Sequence, residues 1–303
     1  MSIPASGTAP VAVPVNRNSL KKKKFRLLPY LLLIPSLTVM TLFIFYPFIN
    51  CLRLSFYATD SMGRAGTYVG LRIWKKVLTS VEFKTSLKTT LKYCTSIGIG
   101  TFAVALALSY LSIKMLKGSR IYQTMFALPM ALATAPMASI FSYVFSKYGI
   151  LNAILGTNKL WLSGTTLFPV IVFIVMWANC GPSFIYLLVG FRNVPHELIE
   201  CAELDGVTPL KKFLKIYLPI ASPQVFFVIF LNILTAFKSF TMIKILVGTD
   251  ESPLATLLVK LYNYAFVRER YETGCIYSLV LCLLVFLVSR VQFYFEKKAV
   301  FYQ

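Results

Sequence analysis

The sequence has few of the residues from which most catalytic and metal sites are built. Its 303 residues include one histidine, His196, and only 11 acidic residues against 31 lysines and arginines. The six cysteines show no C-x-x-C spacing, so they do not form a recognisable zinc motif. Buried cysteine acting as a small hydrophobic residue is the simpler interpretation. A histidine-based metal site is therefore not expected, and no cofactor is predicted.

The motifs of several enzyme classes are also absent. No G-x-x-x-x-G-K-S/T loop occurs, so the chain lacks that route to binding the phosphates of ATP. Neither H-x-x-x-H nor G-x-S-x-G occurs, and no paired carboxylates lie within an apolar run. A membrane-embedded hydrolase would place such groups in its apolar part. The sequence thus favours a non-catalytic protein over a membrane-bound enzyme.

The sequence instead contains several long runs of apolar residues. Hydrophobic residues make up 57% of the sequence, and the mean hydropathy is +0.71. A run of roughly 20 apolar residues crosses a hydrocarbon core about 30 Å thick. The first run is too long for a secretory signal and lacks a cleavage site, so we expect it to be retained. Six membrane spans are predicted, at Leu27–Leu52, Tyr93–Ile113, Ile121–Phe145, Leu167–Phe191, Pro223–Val247 and Gly274–Phe295.

Residues 1–26 are predicted to be a disordered cytoplasmic tail, because their Pro, Ser, Ala and Asn leave little to bury. Residues 27–303 then form a six-span domain in the lipid bilayer, with an extramembrane loop at 192–222. Prolines and small residues recur inside the spans. They indicate either close packing of a bundle or a bundle that changes shape.

The net charge of +20 fits a membrane better than nucleic acid, because lysine and arginine gather between the apolar runs. No basic stripe interleaved with aromatic residues occurs, so nucleic-acid binding is not expected. The side that holds the tail has the charges nearest to span ends, which predicts that both termini are cytoplasmic. Those charges are Arg17, Lys21, Lys22, Lys23, Lys24, Arg26, Lys114, Lys117, Arg120, Arg192, Lys211, Lys212, Lys215, Arg290, Lys297 and Lys298.

One basic segment, residues 53–92, argues against this orientation. Its charges are Arg53, Arg64, Arg72, Lys75, Lys76, Lys84, Lys88 and Lys92. Within it, the stretch GLRIWKKVLTSVEF alternates apolar and basic residues at helical spacing. We predict a helix there that lies on the outer membrane surface.

The stretch ELIECAELDGVTPLKKFLKIYLPIASP, residues 197–223, is hydrophilic between two apolar runs. Pro195 is predicted in the first turn of a short helix, and Gly206 just past its end. Thr208 is predicted to cap a second helix that starts at Pro209. The apolar side of that helix, opposite its lysines, is predicted to comprise Val207, Leu210, Phe213, Leu214 and Tyr217. The loop is thus expected to form two short helices around an Asp205-Gly206 turn.

The spacing in this stretch resembles the EAA motif of the membrane subunits of binding-protein-dependent ABC importers. The matching positions are Glu200, Cys201, Ala202, Gly206, Ile216, Leu218 and Pro219, with Cys201 in place of an alanine. The stretches GSRIYQTMFALPMALA and QFYFEKKAVFYQ are similar to the carbohydrate-importer branch. The resemblance implies an all-α type I permease fold in the cell membrane of a prokaryote.

The resemblance also implies partners and a mechanism of alternating access. The partners would be a second homologous permease, a cytoplasmic ATPase dimer and an extracytoplasmic solute-binding protein. The solute would be a mono- or oligosaccharide, with glycerol-3-phosphate or another acidic solute as the alternative. The loop would fit a cleft on the ATPase through Glu200, Cys201, Ala202, Asp205, Gly206, Phe213, Ile216, Leu218 and Pro219. A merely well-capped connecting loop is the simpler alternative.

Polar residues inside the spans are candidates for the solute path, because each is costly in lipid. They are Asn179 and Tyr186 in the fourth span, and Asn232, Thr235, Lys238, Ser239 and Lys244 in the fifth. Hydrogen bonds between helices, or a lysine reaching toward an interface, are the alternatives. The stretch DESP, residues 250–253, stands where the family has a Gly-Gly-Pro turn. The resemblance implies that this outer loop meets the solute-binding protein. An ion-driven transporter would need acidic or paired charges at mid-membrane, and the spans hold none.

Overall fold

The computed structural model of the chain describes residues 27–113, 118–248 and 254–299. The predicted tail, residues 1–26, and the predicted outer turn at residues 250–253 lie outside the described residues. The chain divides into two compact units, Met1–Ile49 and Asn50–Gln303. The described residues are mostly helical, with one pair of short strands.

The first predicted span is helical. Helix α1, Leu27–Met40, continues through a π-helical turn at Thr41–Phe45 into α2, Tyr46–Leu54. The stretch Leu31–Leu54 has 24 residues and a mean hydropathy of 2.0, so it is long and apolar enough to cross a membrane.

A β-hairpin that the sequence did not predict follows this helix. Strand β1, Tyr57–Thr59, pairs antiparallel with β2, Ala65–Tyr68. The predicted surface helix is present as α3, Arg72–Thr79. Its apolar side turns inward, because Val77 is buried in a cluster that also contains Tyr277. Its position at a membrane surface stays a prediction.

Three long helices pack against one another at the centre of the second unit. They are α4, Val81–Leu111, α8, Leu167–Arg192, and α12, Ser222–Lys238. The prediction that the second span starts at Tyr93 is wrong. The helix starts earlier because Ser80 caps it, with its Oγ accepting a hydrogen bond from the Phe83 N–H. The lysines placed between spans at residues 84–92 therefore lie on α4.

The third predicted span is a bent pair of helices. Its parts are α5, Ser119–Ala127, a 3-10 turn at Leu128–Ala131, and α6, Thr134–Val144, with a bend of 102°. Pro129 lacks an N–H and so ends the hydrogen bonds of α5, whereas Pro136 lies in the first turn of α6, where a proline removes no helical hydrogen bond. Gly181 of α8 lies against this bend, where an added Cβ would come 3.1 Å from the Ala127 carbonyl oxygen. The small residue therefore permits the bend to pack on α8.

A break at Ser239 that the sequence did not predict divides the fifth predicted span, Pro223–Val247. Helix α12 ends at Lys238 and α13, Phe240–Val247, begins after Ser239, whose φ is −72° and ψ is 49°. The Ser239 Oγ donates to the Thr235 carbonyl oxygen at 2.9 Å. Such bonding of a serine to the preceding turn competes with the backbone and bends helices.

The remaining helices complete the unit. They are α7, Ile150–Leu155, α14, Leu257–Tyr262, which continues into a π-helical turn at Asn263–Val267, and α15, Tyr271–Ala299. Among the described residues, 4 helices are long and apolar enough to cross a membrane singly. Up to 6 spans are possible if two bent pairs each count as one, namely Ser119–Ala131 with Thr134–Val144 and Pro209–Ile220 with Ser222–Lys238, the latter bent by 78°. Six spans are thus compatible with the structure. The largest buried cluster includes Ile171 and Ile174 of α8, and a second surrounds Leu187 and Phe191 near the end of α8.

Candidate functional site

The predicted loop at 192–222 forms two short helical segments. Its elements are α9, His196–Leu204, then α10, Pro209–Lys212, a π-helical turn at Phe213–Tyr217, and α11, Leu218–Ile220. Thr208 precedes the second segment and Pro209 starts it, as predicted. Pro195 lies just before α9 rather than in its first turn. We name the stretch 192–222 the coupling loop.

The turn between the two segments depends on Gly206. Its φ is +67°, a left-handed conformation that glycine adopts without strain. The Gly206 N–H bonds to the Glu203 carbonyl oxygen at 3.1 Å, and the Val207 N–H to that of Ala202 at 3.0 Å. This is the hydrogen-bond pattern of a Schellman motif, which ends a helix sharply. The motif fixes the direction in which the chain leaves α9.

An ion pair crosses the same turn. The Lys212 Nζ donates to Glu203 Oε1, which ties α10 to α9. The prediction that Lys212 lies on the exposed side with the other lysines is wrong, because only 12% of its side chain is exposed. A partly exposed pair of this kind contributes at most about 1 kcal/mol. Its main effect is on the geometry of the turn.

Aromatic rings anchor the second segment to the long helices. The Phe213 and Tyr217 side chains are buried. The ring centroid of Phe213 lies 5.4 Å from that of Phe191 on α8 and 4.6 Å from that of Tyr110 on α4. Aromatic pairs at such distances add about 0.5–1.5 kcal/mol to the burial of their surface. These contacts join the segment to the ends of α4 and α8.

The predicted coupling residues fall into two groups by exposure. The exposed group is Glu200, Cys201, Asp205, Gly206 and Pro219. Ala202 and Phe213 are buried, and Ile216 and Leu218 are half-buried. The first group is available to a partner protein, whereas the second attaches the coupling loop to the rest of the chain.

Four leucines of the coupling loop are exposed, of which Leu198, at 45%, is the least exposed, and sequence reasoning gave none of them a role at the surface. Leu204 is 89% exposed, Leu210 63% and Leu214 54%. The prediction that Leu210 and Leu214 share the buried side with Phe213 is wrong. The segment changes from α-helix to a π-helical turn at Phe213, so regular 3.6-residue spacing does not apply to it. Contiguous apolar patches, unlike single exposed apolar residues, are typical of surfaces that bind proteins or membranes.

The candidate solute-path residues lie in different surroundings. The Asn179 side-chain amide donates a hydrogen bond to the Val175 carbonyl oxygen of the same helix, at 2.8 Å. Asn232 accepts a hydrogen bond from the Ser183 Oγ at 2.8 Å and so joins α12 to α8. Tyr186 is exposed. These contacts are of the kind expected from helix packing.

A second group lies together around the break after α12. Its members are Thr235, Lys238 and Ser239, of which the first two are exposed. Nearby along the chain, the Lys244 Nζ lies 3.6 Å from the ring centroid of Tyr262 and 5.6 Å from that of Phe240. The aromatic pair could not be found from the sequence, because Tyr262 belongs to a different helix. Within the described part of the chain, no cluster of three or more His, Cys, Asp or Glu suits a metal ion.

Comparison with known proteins finds both a family and close relatives. Residues 99–300 match the family model described as a binding-protein-dependent transport system inner membrane component. The sn-glycerol-3-phosphate transport system permease protein UgpA of Shigella dysenteriae serotype 1 (strain Sd197) is 30% identical over 286 residues, covering 92% of this chain and 97% of that protein. The protein of the same name from Agrobacterium fabrum (strain C58 / ATCC 33970) is 28% identical over 284 residues, covering 91% and 97%.

Solved structures share the fold. A chain of a bacterial ABC transporter involved in the import of the acidic polysaccharide alginate matches with a TM-score of 0.80 at 18% identity, over 89% of this chain and 95% of that chain. A bacterial alginate ABC transporter in complex with an alginate pentasaccharide-bound periplasmic protein matches with a TM-score of 0.79 at 18% identity, over 89% and 94%. The predicted type I permease fold is confirmed.

Proposed function

The chain belongs to the inner-membrane components of binding-protein-dependent transport systems, and from that premise we propose how it works within an importer. It forms one half of a solute pathway, and a second homologous permease forms the other half. A dimer of separate cytoplasmic subunits hydrolyses ATP, and an extracytoplasmic solute-binding protein delivers the solute. The absence of a phosphate-binding loop from the sequence supports this division of labour.

The construction of the coupling loop carries the proposal. Its outer surface presents Leu204, Leu210 and Leu214 next to exposed charges, as a docking surface for the ATPase. Its inner surface places Phe213 against Phe191 and Tyr110. Closure of the ATPase dimer would move the loop as one piece, and the aromatic contacts would pass the movement to α4 and α8.

The same assignment gives an orientation. A loop that meets a cytoplasmic ATPase lies on the cytoplasmic side, and six spans then leave both termini on that side. Exposed Lys211 and Lys215 on the loop agree with the excess of basic residues in cytoplasmic segments. The exposed turn of the β-hairpin at Met62 would face outward.

The solute is proposed to be a small anionic polyol, with sn-glycerol-3-phosphate as the first compound to test. Lys238 supports this assignment, because it is exposed at the break after α12 and a lysine within a span needs a cavity or an anion. Permease relatives named for sn-glycerol-3-phosphate transport support it too. A carbohydrate is the second candidate, since the rings of Phe240 and Tyr262 beside Lys244 would give a sugar an apolar face.

Uptake by the complete importer in proteoliposomes tests the solute. We expect labelled sn-glycerol-3-phosphate to be taken up, and neutral sugars to be excluded. Lys238→Gln should lower uptake about tenfold at low solute concentration, equivalent to about 1.4 kcal/mol. Lys238→Arg, which keeps the charge, should retain most of the activity. Unchanged uptake by Lys238→Gln would remove this residue from the path, and uptake of neutral sugars alone would establish the carbohydrate candidate.

A further inference from the structure

A ladder of lysines runs along the first turns of α4. Lys84, Lys88 and Lys92 are exposed and four residues apart, so each lies about 6 Å further along the helix than the last. None of them forms an ion pair within the residues that the structure describes. The Lys92 Nζ lies 4.5 Å from the ring centroid of Phe168. We name these three residues the lysine ladder.

The ladder is unfavourable for the chain by itself. Like charges four residues apart on a helix repel each other. The positive charge of Lys84, at the end of the first turn, also opposes the helix dipole, whose positive end is at the N-terminus. An anion bound along the ladder would relieve both effects. The arrangement therefore indicates a negatively charged ligand.

An apolar groove continues from the ladder. An open groove of about 550 Å³ lies along the lysines, with Leu87 and Leu91 between them. It shares Leu91 and Thr95 with an adjoining groove of about 260 Å³ between α4, α12 and α15. The walls of the second groove are almost entirely apolar, and they include Gly98, Ile99, Phe102, Ile229, Ile233 and Val288.

The dimensions of the combined groove match a lipid. Lys92 and Phe102 are separated by about 15 Å along α4 at 1.5 Å per residue. This is half of a hydrocarbon core about 30 Å thick, the depth of one leaflet. The groove therefore has a charged end and an apolar end, separated by the distance that one leaflet spans.

We propose that an anionic phospholipid binds to this surface, with its phosphate on the lysine ladder and one acyl chain in the apolar groove. A free phosphate ion would use the lysines alone and would leave the apolar part empty. A neutral lipid would use the groove and leave the lysines unpaired. The proposal also gives a role to basic residues of the 53–92 segment that oppose the predicted orientation. It is independent of which solute the importer carries.

Native mass spectrometry of the complete importer provides the test. The complex is stripped of lipid and then exposed to phosphatidylglycerol or to phosphatidylcholine. We expect wild type to retain phosphatidylglycerol at least tenfold better than phosphatidylcholine. Lys84→Gln/Lys88→Gln/Lys92→Gln should lose this preference. The control Lys75→Gln/Lys76→Gln, which removes exposed lysines of α3 outside the groove, should keep it.

Two further experiments distinguish binding of the head group from binding of the acyl chain. Ile99 is 65% exposed in the apolar groove, so Ile99→Trp fills the groove without disturbing the core and should reduce retention of phosphatidylglycerol. Soluble glycerophosphoglycerol, which has the head group without chains, should fail to displace the lipid. Displacement by this compound, or full retention by Ile99→Trp, would overturn the acyl-chain assignment.

A photo-crosslinking residue in place of Leu91, introduced in native membranes, identifies the occupant directly. Leu91 is exposed and borders both grooves. We expect an adduct with the mass of a phospholipid. An adduct with the second permease alone would show that a protein covers the groove and would overturn the proposal. Equal retention of phosphatidylglycerol by the triple lysine variant would overturn it as well.

Discussion

Gly206 holds a backbone conformation that most residues adopt only at a cost. An added Cβ would meet no atom within 4 Å, so the surrounding space does not demand glycine. Glycine is required because φ is +67°, a backbone angle that is strongly unfavourable for β-branched residues. The direction of the coupling loop after α9 therefore rests on a single residue.

Replacement of Gly206 should weaken coupling according to the tolerance of the new residue for a left-handed backbone. Gly206→Val should destabilise the turn by about 1–2 kcal/mol and lower solute-stimulated ATP hydrolysis. Gly206→Asn should have a smaller effect on both, because asparagine adopts this conformation more readily. The measurement is ATP hydrolysis by the reconstituted complex. Equal activity of the two variants would contradict the role given to the turn.

Local signals allowed the coupling loop to be predicted, and non-local contacts set the limit. Thr208, Pro209 and Gly206 have strong preferences for the ends of helices, which a single sequence reveals. The contact of Lys244 with Tyr262 joins two helices, and no local pattern marks it. Asn232 was correctly suspected of a hydrogen bond between helices, but only the structure identifies Ser183 as its partner.

One side of the coupling loop is buried against the long helices, and the other side is exposed. Phe213 and Leu214 are neighbours in sequence, yet the first is buried and the second is 54% exposed. Successive side chains of a helix point about 100° apart, which allows this contrast between neighbours. The π-helical turn at Phe213–Tyr217 is the part that regular helical spacing read from the sequence could not anticipate.

Substitutions at Phe213 and Leu214 distinguish attachment of the coupling loop to the long helices from binding of the ATPase. Phe213→Ala should destabilise the protein by about 3–5 kcal/mol, because it leaves a cavity among aromatic rings. Leu214→Ala should change stability by no more than about 0.5 kcal/mol, yet weaken binding of the ATPase. Thermal unfolding in detergent and co-purification of the ATPase measure the two effects. Loss of stability in both variants, or in neither, would contradict the division.

The membrane-spanning elements show a similar division between what sequence predicts and what it does not. Apolar length indicates six candidate spans, of which four are single helices and two are bent pairs. The position of one bend follows partly from Pro129, whereas the break at Ser239 has no proline. Ser239 competes with the backbone through its Oγ, and serine does so only in some helices. Helix breaks without proline therefore have to be observed.

At the scale of the whole molecule, the proposed orientation in the membrane places the coupling loop in the cytoplasm. Cys201 is exposed on the loop, and Met62 is 75% exposed in the turn of the β-hairpin. The proposed orientation places these two residues on opposite sides of the membrane. Native Cys201 therefore provides a chemical marker for one side.

A membrane-impermeant maleimide should distinguish the two sides. Inside-out vesicles that lack the ATPase should be labelled at Cys201, whereas sealed right-side-out vesicles should not. The Cys201→Ala variant measures the background labelling of the other five cysteines. Met62→Cys in that background should be labelled only from the outside. Labelling of both positions from the same side would overturn the proposed topology.

The most direct test of the central claim is purification of the tagged chain from gently solubilised membranes, with its partners identified by mass. The control is the variant Leu210→Asp/Leu214→Asp, which places charge on the exposed apolar surface of the coupling loop. We expect wild type to bring down a second permease and an ATPase, and the variant to retain the permease but lose the ATPase. Recovery of the wild-type chain alone, or equal recovery of the ATPase with the variant, would contradict the account.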